Sequence, residues 1–469
     1  MKLKRELGLK EVVATVVTAV IGGGLFLSTI QIQSKVPVGS AIIISLIIAA
    51  IPAFFMAICY AVLSSAMPSS GGEYIFVSRI VDPFIGFITT WARWFAMIAV
   101  IAAMAVGDII LITNFFDIIN MHGISLFVSA NIQILAIFLV IIFLIINYVG
   151  VKTYGRVQTA MFVILIIGLS LFILFGLPYI SMNNLKYSFN LDFTAIAMAS
   201  SLIFFSYLGF AIIANVGDEV KEAEKTLPKG IMVSMLIIAV IYILVALVTY
   251  GSMSSSYYSS YDFSKGTVVD VASHFLPPLI AIIVAFTGSI AIISDINPIM
   301  FSSSRLSFAW AKDSIVPQKL SELNKFGVPK WALIINAIMA ICIILFASQF
   351  MTVVMMINMA ILLIYIAISI SAFILPYKHP QIYKNAKFKI KGLWIIALIG
   401  FLTSALFLGF ILRLEDAMPG FIFLLIWICI GSIIYVFTLE SHRLHWRIFK
   451  KEKKEKGLLD KVIIDKLTK

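Results

Sequence analysis

The stretch AVIGGGLFLS, Ala19 to Ser28, places three consecutive glycines inside an apolar run long enough to cross a bilayer. Each glycine in a helix interior costs about 1 kcal/mol relative to alanine, so three in succession predict an interrupted helix. In hydrocarbon, freed backbone groups have no water to bond, and such a break is tolerated only where protein buries it or where it lines a cavity. The plain alternative is close packing of helices through small residues.

The rest of the chain supplies the context. Of the 469 residues, 61% are hydrophobic and 12% charged, and the mean hydropathy is +1.07. That composition excludes a soluble globular protein and implies an all-α membrane protein. No Asp, Glu, Lys or Arg lies between Lys35 and Glu73, and comparable runs recur to the end. Twelve transmembrane helices are expected near 11–34, 38–66, 83–116, 130–149, 156–177, 193–217, 230–251, 270–299, 331–348, 352–375, 393–412 and 419–438. Their connections leave no room for a separate soluble domain.

Lysine and arginine placement tests the count, because basic residues concentrate in cytoplasmic loops. With the N-terminus inside, only Lys35, Lys186, Lys265 and Arg413 of the 35 basic residues fall outside, and Arg93 lies within span 3. Both termini are therefore expected in the cytoplasm of a multi-pass plasma-membrane protein. The first apolar run is read as a retained span rather than a cleaved signal. The net charge of +12 reflects this asymmetry and the tail RLHWRIFKKEKKEK, which suits anionic membrane lipids or a solvated topology signal, and is not read as a nucleic-acid footprint. Cys59, Cys342 and Cys429 are isolated in apolar spans and are expected to be buried packing residues, with no metal site.

A second interruption is expected in span 6, where FFSYLGFAIIANVGDE brings Ser206, Tyr207 and Gly209 into an apolar run. It lies five spans after the first. Spans 1–5 (1–177) and 6–10 (193–375) then form two inverted repeats of five, each opened by a broken helix, followed by two additional C-terminal spans (393–438) and a basic tail (441–469). Unwinding at Gly22, Gly23 and Gly24 exposes amides at a half-helix start, which suits a carboxylate. Unwinding at Phe205 to Gly209 frees carbonyls, which suit an ammonium group. An amino acid satisfies both.

Four stretches carry a resemblance: LGLKEVVATVVTAVIGGGLF, PSSGGEYIFVSR, FFSYLGFAIIANVGDEVKEAEKTLPKGI and RLSFAWAKDSIVPQKLSELNKFGVPKWALI. In order and spacing the chain resembles an amino acid–polyamine–organocation (APC) superfamily transporter. The resemblance implies the LeuT-like fold, with spans 1 and 6 unwound at mid-membrane. It further implies that Ile21, Gly22, Gly23 and Gly24 hold the substrate carboxylate, although a serine often stands where this chain has Gly23. Phe205, Ser206 and Tyr207 would face the amino group, Phe205 at an aromatic-gate position, and Gly209 matches that motif's glycine. Ala211 stands where many members have an acid. Several relatives carry a coupling lysine in span 5, and GVKTYGRVQTAMFVILIIG puts Ile164 or Leu165 there, so that device does not transfer. No cofactor is expected beyond a coupling ion, proton or sodium.

Ionisable residues inside spans are functional candidates by default. Asp295, in IAIISDINPIM, lies one turn before Ile299, which aligns with a side-chain-pocket position in relatives. Residues at i and i+4 share a helix face, so Asp295 is expected to face the pathway and to bind a cationic side chain or a proton. Asp108 and Arg93, both in span 3, are further pathway candidates. Asp218 and Glu219 are candidates for a cytoplasmic gate with a loop lysine or arginine, or equally for a plain interfacial ion pair, and His274 is expected at the membrane interface.

No HExxH, paired-aspartate or nucleophile-elbow pattern is present, so no enzyme is expected. The reading is a secondary active amino acid transporter. An exchanger or polyamine transporter of the same fold and a transporter-like amino acid sensor are the alternatives. The oligomeric state is left open.

Overall fold

The computed structural model describes residues 3–264, 266–346, 350–413 and 417–441, without the side chains of 118, 205, 208, 350–354 and 439–441. Lys265 and the tail beyond Ser441 lie outside the described residues. Among these residues the architecture is helical, and β pairing is limited to isolated bridges.

The helices that position the site are α1 (Leu9–Thr18), α2 (Ile42–Ala66), α3 (Gly72–Ile80), α4 (Pro83–Ile118), α5 (His122–Ala130), α6 (Ile132–Tyr148), α7 (Val151–Gly176), α8 (Phe193–Phe204) and α9 (Ala223–Ser252). They continue as α10 (Val268–Phe275), α11 (Pro278–Lys312), α12 (Lys330–Phe346), α13 (Phe350–Lys378), α14 (Leu393–Ile411) and α15 (Ala417–Ser441). Among the described residues, 9 helical segments are long and apolar enough to cross a membrane, or 10 when α5 and α6, bent by 80°, count as one span. α1 is too short by itself because the chain interrupts it, and α12 is a shorter apolar helix. Expected span 8 is displaced: α10 is a separate short helix, and the long helix starts at Pro278.

Local chemistry explains the boundaries. Asp82 caps α4 by accepting from the Phe84 amide at 2.8 Å, with Pro83 in the first turn where its missing N–H costs nothing. Thr267 and Asp270 close a capping box at the start of α10. Outward faces are apolar: Leu126, Phe138, Leu174 and Leu236 are all well exposed, as lipid contact requires. Cys59 is buried as expected, whereas Cys342 and Cys429 are exposed. Those two lie on outward faces, where an apolar residue needs no protein neighbour.

Connections gather at two ends. At one, the amides of Glu6 and Leu7 donate to the Glu219 carbonyl, Ser65 donates to the Glu224 carbonyl, and Arg79 pairs with Asp313 at 2.5 Å. At the other, Ser40 donates to the Leu185 carbonyl and the Ser181 amide to that of Gly251. Trp91 of α4 and Trp427 of α15 stack at 4.9 Å and 7°, each indole N–H donating to the other's carbonyl.

Candidate functional site

The glycine stretch interrupts its helix. α1 stops at Thr18, residues 19–22 turn, and helical backbone resumes in π form over Gly24–Ser28. The second stretch differs from the open unwinding expected of it. α8 passes at Phe205 into a 3-10 helix, Phe205–Asn215, in which tighter i→i+3 bonds replace the α pattern. The Phe205 side chain lies outside the described residues.

The two irregular segments touch. Ser206 donates to the Gly24 carbonyl at 3.2 Å, and a Cβ on Gly24 would sit 2.7 Å from Ser206 Cβ. A Cβ on Gly209 would overlap the Ala19 carbonyl. Only glycine permits these approaches. Tyr242 of α9, which the sequence reading missed, directs its hydroxyl to the carbonyls of Val20 at 2.7 Å and Ser206 at 2.9 Å. One phenol thus ties the two segments together. Tyr207, expected at the amino group, points elsewhere and donates to the Leu46 carbonyl at 3.2 Å.

Beside this junction lies a cavity of about 70 Å³, room for roughly five waters. Gly24, Ser206, Gly209, Arg93, Asp295 and Ile299 line it, all named from sequence. Ile21, Gly22, Gly23 and Tyr207 do not. The remaining wall is largely apolar and was missed: Met97, Val100 and Met104 of α4, with Ile212 and Ile361. Spaced at helical intervals after Arg93, the α4 residues form one face. Asp108 continues that face one turn beyond Met104. It is fully buried, and neither carboxylate oxygen has a partner.

Arg93 is buried, and its Nε lies 3.6 Å from Glu73 Oε1. Glu73 is held in turn by the Tyr60 hydroxyl at 2.7 Å and Asn215 Nδ2 at 2.9 Å. Asp295 has no such counter-ion among the described residues, and its Oδ1 is unpartnered. It lies directly against the glycines: a Cβ on Gly22 would overlap its carboxylate, and the Gly23 amide is directed at it.

Asp295 also sits in a helix with a broken ladder. Pro298 offers no N–H to the Ser294 carbonyl, and Gln158 of α7 supplies one at 3.1 Å. Gln158 also contacts Thr18 Oγ1 and accepts from Asn297 at 2.7 Å, while Asn147 donates to Asn297 at 2.8 Å. This chain of amides joins α1, α6, α7 and α11. The proline four residues after Ser294 was the sequence signal for it. Of the two residues at the family's lysine position, Leu165 is buried and Ile164 faces outward.

Toward the end bearing the N-terminus, Tyr154 stacks on Phe301 at 3.9 Å and 7°, and the Arg305 guanidinium lies 3.6 Å from the Phe301 ring. Arg305 bonds both Glu219 oxygens, at 2.6 and 2.9 Å, with both side chains fully buried. The basic partner expected in a loop is thus inside α11. Asp218 has a different task, accepting the Ser70 amide at 2.9 Å. Beside this layer Asp313 receives the Tyr74 hydroxyl at 2.6 Å, and burial followed by that carboxylate pushes the phenol well above its usual value. His274 stacks on Tyr257 at 3.9 Å in the connection before α11.

Comparison with known proteins decides the family. The amino acid permease family model matches residues 7–434. The chain belongs to that family. The permease is thus a membrane transporter of the APC superfamily and not an enzyme. It is 27% identical over 455 residues to a methylthioribose transporter of Bacillus subtilis (94% of this chain, 95% of the relative). It is 25% identical to the branched-chain amino acid permease BcaP of the same organism (94% of each chain). Against the vacuolar cationic amino acid transporter 4 of Arabidopsis thaliana the identity is 24% (81% of this chain, 64% of the relative).

Proposed function

We propose that the permease is a secondary active transporter of neutral aliphatic amino acids in the plasma membrane, with both termini cytoplasmic. Twelve spans in a LeuT-like 5+5 inverted repeat with two extra C-terminal helices would carry it, working by alternating access around a mid-membrane site. The observation that carries this reading is the cavity at the meeting of Gly24 with Ser206 and Gly209, walled by Met97, Val100, Met104, Ile212, Ile299 and Ile361. An apolar wall suits an aliphatic side chain. The substrate carboxylate would lie toward the glycine amides and its ammonium toward the 3-10 segment, where carbonyls retain a second lone pair. The branched-chain permease among the relatives supports the class. Asp295 lines the same cavity on the side of the glycines, away from the methionine face of α4.

The test is uptake into sealed proteoliposomes of labelled neutral, cationic and acidic amino acids, polyamines and methylthioribose, driven by a proton gradient, a sodium gradient or internal amino acid. Accumulation of a neutral aliphatic amino acid is the expected result. Exchange alone, uptake restricted to polyamines or methylthioribose, or binding without movement would each replace the proposal with another reading.

A further inference from the structure

Resting on that assignment, we propose that Asp295 is the proton carrier of the permease, and that it works by competing with the substrate carboxylate for the same backbone amides. In this structure the Asp295 carboxylate already lies at the glycine break, touching Gly22 and faced by the Gly23 amide. A helix break of this kind presents a limited number of N–H donors to one negative group. Two carboxylates there repel each other in a site that excludes most water. The substrate can take the position only after the charge on Asp295 has been removed.

A proton removes it at the least structural expense. Asp295 Oδ1 has no hydrogen-bond partner, so an O–H formed there displaces no existing contact. The neutral acid would also offer a donor to the incoming carboxylate instead of a charge. Outside, a proton passes from water to Asp295 and the substrate binds; inside, both leave to water, and the bared carboxylate returns to the Gly23 amide. Proton and substrate are thereby carried together, one to one.

The surroundings leave Asp295 as the group whose charge changes. Of the charged and titratable groups on neighbouring elements, Arg93 of α4 lines the same cavity, and Tyr242 of α9 lies within electrostatic range of the carboxylate. Arg93 is paired by charge with Glu73 of α3 at 3.6 Å. Tyr242 is committed to two carbonyls. From α1, α6, α7 and the 3-10 segment the polar side chains at this level are the uncharged Thr18, Asn147, Gln158 and Ser206, and α12 contributes Asn336. Tyr154 is bonded to Thr15, while Tyr207 bonds the Leu46 carbonyl. On α10, Asp270 caps its own helix and His274 stacks on Tyr257. Farther along α11, Arg305 is neutralised by Glu219. Among the described buried acids Asp108 is the other with an unpartnered carboxylate, but it stands one turn beyond Met104 and outside the cavity lining.

The experiment is calorimetric binding of the best amino acid from the uptake panel to purified protein, from about pH 5 to about pH 8, in two buffers of different ionisation enthalpy. The expected wild-type result is uptake of about one proton per substrate and, at the alkaline end, about a tenfold loss of affinity per pH unit. Asp295→Asn should bind without proton uptake and without pH dependence, and in proteoliposomes should exchange substrate but no longer accumulate it against a proton gradient. Wild-type affinity independent of pH with no proton uptake overturns the proposal while leaving the transporter assignment intact. So does loss of the pH dependence in Asp108→Asn but not in Asp295→Asn. If Asp295→Asn fails to fold, Asp108→Asn decides: proton uptake retained in that variant supports Asp295, and proton uptake lost in it overturns the proposal. Absence of binding by every amino acid overturns both readings.

Discussion

Cutting the ion pair between Glu219 and Arg305 tests whether the layer below the cavity is held by charge. Both side chains are fully buried, and the guanidinium meets both carboxylate oxygens. Removing one partner of such a pair costs about 3–5 kcal/mol, because the survivor is a buried charge without compensation. Glu219→Gln should fall near the lower figure: Arg305 keeps the Phe301 carbonyl, Ser304 Oγ and the Phe301 ring. Arg305→Met should approach the upper one, since Glu219 loses the partner of both oxygens. The double variant, with no buried charge left, should cost less than the sum of the singles by about 2 kcal/mol or more. Chemical unfolding in detergent or lipid measures stability. In a background without native cysteines, Thr15→Cys beside Tyr154 should also react faster with a thiol reagent once Glu219 is changed. Singles within about 0.5 kcal/mol of wild type, or a strictly additive double, would refute the reasoning.

Three further outcomes are expected. Gly22→Ala drives a methyl into the Asp295 carboxylate and should cost about 1–3 kcal/mol by overpacking; Asp295→Ala should recover much of it, as a thermal-shift comparison of singles and double would reveal. Tyr242→Phe removes the single hydroxyl proton shared between the carbonyls of Val20 and Ser206, a loss of about 1 kcal/mol for that shared bond, read in unfolding midpoints and initial transport rates. Gln158→Leu strands the Ser294 carbonyl and Asn297, each worth about 1–3 kcal/mol when left unsatisfied, so it should destabilise more than Thr18→Val, which removes a single neighbour of the same network.

The membrane-embedded helical architecture was legible because apolar runs between charged connections leave few other solutions. The first break could be read from Gly22, Gly23 and Gly24, since backbone cost is local. The second was read in the right place but with the wrong conformation: Phe205–Asn215 tightens into a 3-10 helix, a choice made by its packing on Ala19 and Gly24 rather than by its composition. Arg93 and Asp295 at the cavity could be read because charge inside an apolar run is a local signal, and Ile299 came from the family resemblance. Tyr242 and Gln158 escaped because a polar tip on a buried helix looks like any other until its distant partner is known. Glu73 escaped for a related reason, lying at the start of α3 where an acid reads as an ordinary first-turn residue. Arg305 escaped because its role depends on Glu219, a partner brought near only by the fold.

The reciprocal pairing of Trp91 with Trp427 has an optical consequence. Two nearly parallel indoles 4.9 Å apart couple their electronic transitions, and Trp94 and Trp310 lie against the same cluster at 5.2 and 5.8 Å from Trp91. Near-ultraviolet circular dichroism of the unlabelled protein therefore acts as a gauge of the separation between α4, α11 and α15. A signal unchanged on adding substrate would mean that these helices move as one block, and a changed one would locate a sliding surface between them.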